Sequence, residues 1–282
     1  MDQAIESLVN LLRNEREALV RDIAGLSHAQ LERATPCAGW DVHDVVAHLA
    51  MGADIHEKMI ANSLAGRLEP PFPMPDGQSD PRIAEVREAM AARREALHAA
   101  VRARGAATNL AEFNARCEAI ERTLAGLVSA DLGRDAWFWG MTVPLQMLFG
   151  VRASETIMHG SDVRRAVGIT PWFSDAGATH MAGSTTPWLG NFFQPALAGD
   201  LAGSMLLRLP GSSHTLTVSS AGLAIGPDVP VAVAATLHTS EDIWSLLAWK
   251  RLSLAEAEAD HGARVDGDRA MVQRLLDALV AP

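Results

Sequence analysis

Cysteine is nearly missing from this 282-residue chain, which has only Cys37 and Cys117. Two thiols cannot build a disulfide framework and suit a reducing compartment, so a cytoplasmic location is expected. An inert, reduced cysteine is the favoured reading for Cys37. Basic character is also scarce: 24 Lys and Arg face 34 Asp and Glu, a formal net charge of −10. No basic stripe is visible, which argues against a nucleic-acid partner, because phosphate binding needs clustered cations. No apolar run approaches the roughly 18 residues of a membrane span. The opening MDQAIESLVNLLRNERE is amphipathic and acidic, where a secretory signal is basic and then apolar. No membrane partner is expected.

The composition is ordinary for a globular protein, with 48% hydrophobic and 21% charged residues. The length favours two domains, each able to bury its own core. Helices dominate the first half. Residues 3 to 25 place Ile5, Leu8, Leu11, Leu12, Leu19, Val20 and Ile23 near one stripe. A second helix is expected from about 41 to 65, with Asp41 as N-cap and Val42, Val45, Val46 and Leu49 at helical spacing. The prolines of PPFPMPDGQSDP, residues 70 to 81, predict a surface loop. Alanine-rich stretches over about 82 to 104 and 109 to 129 predict one broken helix or two. Residues 134 to 143 read as a loop, and Pro144 near the start of a further helix. Four principal helices suit an up-and-down bundle, whose core can hold a metal site.

The texture changes after Gly168. Residues 174 to 198 predict a helix with a connector, and SMLLRLPG, HTLTVSSAG and PVAVAATLHTS read as strands between turn signals. Helices return in SEDIWSLLAWK, with Ser240 as N-cap, and in DRAMVQRLLDALV. The expected fold class is α+β: a helical bundle over 1–170 and a smaller α+β domain with an antiparallel sheet over 171–282.

Glu155 and His159 are four residues apart in ASETIMHGSDVRRA. On a helix they project from one face, about 40° apart around the axis and about 6 Å along it, so they can share one ion. Carboxylate and imidazole both suit zinc and its divalent neighbours, and two histidines with one glutamate leave a coordination position open. His48, in WDVHDVVAHLA, is the best third ligand, since its helix turns that side to a core. By spacing alone the pattern is weak, because a Glu and a His four apart on a helix are more often a solvated pair or a satisfied core histidine.

The wording around these residues adds to the spacing. TPCAGWDVHDVVAHLA, residues 35 to 50, and ETIMHGSDVRRAVG, residues 155 to 168, resemble the signature of the mycothiol-dependent maleylpyruvate isomerase family. The resemblance implies a DinB-like four-helix N-terminal domain and a divalent metal, usually zinc, held by His48, Glu155 and His159. It also implies mycothiol, an actinobacterial low-molecular-weight thiol, as a cofactor whose metal-activated thiolate attacks a small electrophilic substrate in an isomerisation or S-transfer. The order of strands, TSEDIWSLLAWK helix and VDGDRAMVQRLL is similar to the sterol-carrier-like domain found behind that bundle. Two other readings stay open: a thiol-independent metal hydrolase, and a non-enzymatic small-molecule binding protein.

Asp162, three residues after His159, belongs to the resembled motif and is the candidate catalytic group. It can hold His159, act on bound water, or pair with Arg164 or Arg165. Asp44 lies one turn before His48 and can orient it, although an acidic residue is favourable in a first helical turn without any site. His43 and His56 sit at about 140° and about 12 Å from His48 on an ideal helix and are left out of the ligand set. Trp40, Trp137, Phe138, Trp139 and Trp172 can line a pocket or simply pack. Arg82, Arg152, Arg208 and Lys250 are among the cations available to mycothiol.

Overall fold

A computed structural model describes residues 2–72, 84–227 and 232–280. The chain divides into two compact units, Met1–Ser174 and Asp175–Pro282. Among the described residues no helix is long and apolar enough to cross a membrane.

The first unit is built on long amphipathic helices. Helix α1 (Gln3–Ala24) starts at Asp2, whose side chain accepts the Ala4 N–H, and buries Ile5, Val9, Leu12, Leu19 and Ile23 along one stripe. After a short turn of helix, α2 (His28–Leu31), comes α3 (Val42–Leu64). Its start is a capping box: Asp41 Oδ1 accepts the Asp44 N–H at 2.8 Å, and Asp44 Oδ2 accepts the Asp41 N–H at 3.1 Å. The predicted loop at 70–81 falls mostly outside the described residues. The next stretch is two helices, α4 (Ala84–Arg102) and α5 (Ala106–Ala125), separated by Gly105 at φ +88°. A short α6 (Ser129–Leu132) precedes α7 (Leu145–Val167).

Helices α1, α5, α3 and α7 pack in that cyclic order as a four-helix bundle, with α4 laid against α3. Its interior contains Leu19, Val45, Val46, Leu49, Phe113 and Val163. An ion pair locks α1 to α5 inside this apolar setting. Arg16 donates from Nε to Glu121 Oε1 at 2.6 Å and from Nη2 to Glu121 Oε2 at 3.0 Å, and from Nη1 to Asn114 at 2.7 Å.

The expected loop at 134–143 is instead a hairpin, β1 (Asp135–Phe138) and β2 (Met141–Pro144). Aromatic and β-branched residues favour strand here, and Trp139 (φ +47°) and Gly140 (φ +84°) supply the two left-handed residues of a tight turn. The hairpin carries Trp137 and Trp139, which cluster with Phe72 at centroid distances of 6.0 Å.

The second unit opens with α8 (Asp175–Phe192) and α9 (Pro195–Ala198). Strands β3 (Gly203–Arg208), β4 (Ser213–Ser219) and β5 (Gly222–Pro227) follow, then β6 (Ala235–His238), α10 (Glu241–Ala248), α11 (Leu254–Asp260), β7 (Arg264–Gly267) and α12 (Arg269–Asp277). The sheet order is β5-β4-β3-β6-β7. Three pairings are antiparallel as expected, whereas β3 and β6 run parallel, so the sheet is mixed. Strands β5 and β7 and helix α11 were not read from the sequence, being short and only half-buried or exposed at most positions. Two tryptophans tie α10 to α8: Trp244 Nε1 donates to Thr186 Oγ1 at 2.9 Å, and Trp249 Nε1 to Thr185 Oγ1 at 3.0 Å. Ser240 caps α10 without a side-chain bond to its backbone, turning its hydroxyl to Asp242 instead.

Removing one partner of the Arg16–Glu121 pair strands a buried charge. Glu121→Ala is expected to destabilise the bundle by about 3–5 kcal/mol in urea unfolding, and the double change Arg16→Met, Glu121→Leu by clearly less.

Candidate metal centre

His48 on α3 and Glu155 and His159 on α7 converge inside the bundle, with one ligand atom of each within 4.8 Å of the others. Glu155 Oε2 is the meeting point, 3.0 Å from His48 Nε2 and 3.6 Å from His159 Nε2. Both imidazoles therefore present Nε2. Donor atoms bound to one tetrahedral ion at about 2.0–2.1 Å lie roughly 3.3 Å apart, so these separations fit a divalent metal of zinc's size.

Asp162 sets the orientation of one ring. Its Oδ2 lies 3.0 Å from His159 Nδ1, and the residue is wholly buried. An N–H at Nδ1 leaves the Nε2 lone pair facing Glu155, as a histidine ligand held by a carboxylate requires. The arginines that could have competed are engaged elsewhere: Arg164 with Asp22 at 2.7 Å, and Arg165 over the Trp172 ring at 4.9 Å.

Trp40 forms a wall. Its ring lies 5.0 Å from His48 and 6.1 Å from His159, and it stacks on His98 at 5.0 Å and 12°. His98 in turn pairs through Nε2 with the Asp44 carbonyl at 3.0 Å. The Asp44 carboxylate does not reach His48; it serves the α3 cap and pairs with Arg102 at 2.6 Å. Arg102 also grips Asp41 at 2.6 and 2.7 Å, and this bonding outweighs burial to hold the Asp41 carboxyl down at about 2.

The electrostatics favour the binding form of two of the donors, His48 and Glu155. Burial lowers the His48 imidazole, outweighing the opposing pull of Glu155. Burial alone would raise the Glu155 carboxyl, but the His48 hydrogen bond, the two neighbouring imidazoles and the Arg152 guanidinium hold it below the ordinary carboxylate range. The side chains of His48 and Glu155 are each 23% exposed and that of His159 6%, so an incoming group approaches from the His48 and Glu155 side.

A family profile, the mycothiol maleylpyruvate isomerase N-terminal domain, matches residues 12–164, more than half of the chain. The chain belongs to that family. Among solved structures, that of the mycothiol-dependent maleylpyruvate isomerase is similar over 88% of this chain and 90% of that one, at 13% identity and a TM-score of 0.60. A histidine-to-alanine variant of that enzyme matches over the same shares at 12% identity and the same TM-score. At such identity the likeness bears on the fold alone. No curated protein sequence matches the chain significantly.

This member of the mycothiol maleylpyruvate isomerase family brings together the three residues expected as ligands and sets Asp162 behind one of them. Of the cations weighed for mycothiol, Arg82 lies outside the described residues. Arg208 and Lys250 belong to the second unit, where Arg208 donates to Ser213 at 2.9 Å and Lys250 to the Leu276 carbonyl. Arg152 is buried on α7, one turn before Glu155. Spacing on α3 did not reveal that Cys37 lies with His159 and Asp162 in a second group of donors within 4.8 Å. Cys117 is a separate case, since burial pushes its thiol up to about 11.

His56 lies two turns beyond His48 and is buried with an unpartnered Nδ1. Burial, reinforced by the Arg152 charge, pushes its imidazole down to about 3. The unfolded chain binds the proton at about pH 6.5, so stability is full above that pH and is lost as pH falls towards about 3. Compared with His56→Leu, the unsubstituted protein should lose about 3 kcal/mol more stability between about pH 7 and pH 4 in urea titrations.

Proposed function

We propose that this protein is a metal-dependent enzyme that uses a low-molecular-weight thiol of the mycothiol kind in isomerisation of, or S-transfer to, a small electrophilic substrate. The observation that carries this reading is the convergence of His48 Nε2, Glu155 Oε2 and His159 Nε2, in a chain of this family, at separations suited to one divalent ion. A zinc ion or divalent neighbour bound there supplies a Lewis acid that favours the thiolate form of a thiol at neutral pH.

The chain's own residues divide the remaining work. His48 and His159 offer their Nε2 atoms, and Glu155 offers the carboxylate oxygen of the three donors. Asp162 accepts the His159 Nδ1 proton and fixes the tautomer, which makes it a positioning residue. That engagement weighs against the hydrolytic alternative, which needs a free carboxylate at the open position to assist water. Trp40 packs against both imidazoles and so borders the centre on one side.

Purified protein supplied with zinc should retain about one divalent ion per chain by elemental analysis. The triple change His48→Ala, Glu155→Ala, His159→Ala should retain none, and Asp162→Asn should weaken affinity by about 10–100-fold in chelator competition. Isomerisation of a maleyl-type substrate should require added thiol. Turnover indifferent to thiol would sink the thiol-dependent reading, and a stoichiometry near zero that no divalent ion restores would sink the metal reading.

A further inference from the structure

Arg152 stands on α7 one turn before Glu155, is 1% exposed, and has no hydrogen-bond partner on any of its three guanidinium nitrogens. Among the described residues the other buried arginines of this unit are paired, Arg16 with Glu121 and Arg164 with Asp22. Its slot is specific. A Cβ at Gly52, one turn after His48, would come within 3.1 Å of Nη1, and Cζ lies 5.8 Å over the Phe113 ring. A buried guanidinium with no hydrogen bond to any of its nitrogens carries a desolvation cost of several kcal/mol, so the fold tolerates it against a clear penalty.

The nearby acids are engaged elsewhere. Glu121 holds Arg16, Glu57 holds Arg116, and Asp54 holds Lys58. Cys117 stays a neutral thiol because burial raises it. The Arg152 charge is instead felt by Glu155, which it helps keep ionised, and by His48 and His56, whose protonation it opposes.

We propose that Arg152 is a specificity-determining residue: its buried positive charge makes the position left open by His48, Glu155 and His159 prefer an anionic ligand, a thiolate or carboxylate, to a neutral one. This rests on the metal-centre reading above. A divalent ion and the Arg152 guanidinium together bring three positive charges against the Glu155 carboxylate, so an anionic ligand brings the half-buried centre closer to neutrality, whereas a neutral ligand leaves it more positive. Without Arg152 that preference weakens. Charge acts through low-dielectric protein with little screening, so the guanidinium need not touch the ligand.

Cobalt(II) makes the test visible, because zinc is spectroscopically silent. Azide and imidazole, titrated into the cobalt-loaded full-length protein and followed in the visible spectrum, serve as anionic and neutral probes. Arg152→Met should keep one equivalent of cobalt, weaken azide binding by on the order of tenfold or more, and leave imidazole within about twofold. Arg152→Lys should bind azide like the unsubstituted protein, and Arg152→Gln like Arg152→Met. If Arg152→Met does not fold, the Gln and Lys variants make the same comparison. Azide affinity unchanged in the neutral variants, or azide and imidazole weakened together, overturns the role of Arg152 while leaving the metal centre standing. Failure of the unsubstituted protein to bind cobalt overturns both.

Discussion

A helix can turn polar side chains into a bundle core only where other groups meet them, and α7 is such a helix. Its buried residues include Arg152, Ser154, Thr156, His159, Ser161, Asp162 and Arg164. Most of this burden is met locally or by a neighbour. Ser154 and Thr156 donate to the carbonyls four residues back, Arg164 reaches Asp22 on α1, and Glu155 meets His48 on α3. The Glu155–His48 contact is central, because it joins the two helices that carry the candidate ligands. An apolar stripe in place of this face would pack more cheaply. The polar face therefore reads as the cost of a site.

The candidate ligands were legible in the sequence for a local reason. Glu155 and His159 are one helical turn apart, so their shared face follows from helix geometry, and a helix start at Asp41 placed His48 on a core side. What the sequence could not supply was the third dimension. The stacking of Trp40 on His98 depends on α4 packing against α3, and no periodicity in either helix encodes it. Arg152 looked like any of several cations, since nothing local marks a guanidinium as buried. Its slot exists because Gly52, on another helix, lacks a side chain.

The sheet shows the same limit. Alternating apolar residues identified the stretches around β3 and β4, but alternation carries no strand direction. The parallel pairing of β3 with β6 arises because the chain passes through β4 and β5 before returning to the far side of β3. The hairpin β1–β2 was missed for a different reason: its turn uses a left-handed Trp139 before Gly140, and tryptophan is a poor signal for that conformation.

The start of α3 links stability to the centre. Arg102 clasps Asp41 and Asp44, the two residues of the capping box, and His98, one turn earlier on α4, both touches the Asp44 carbonyl and stacks on Trp40. Because the bond to Arg102 holds Asp41 ionised down to about pH 2, the clasp keeps its charge throughout the range in which a thiol could act as a nucleophile. The contribution is present above the ordinary carboxylate value and lost only as pH falls through about 2. Helix α4 therefore supplies no ligand yet bears on the centre twice, through the cap that sets where α3 begins and through the ring that holds Trp40 over His48. Both contacts run through α4, so that helix bears at once on Trp40 and on the start of the helix that carries His48.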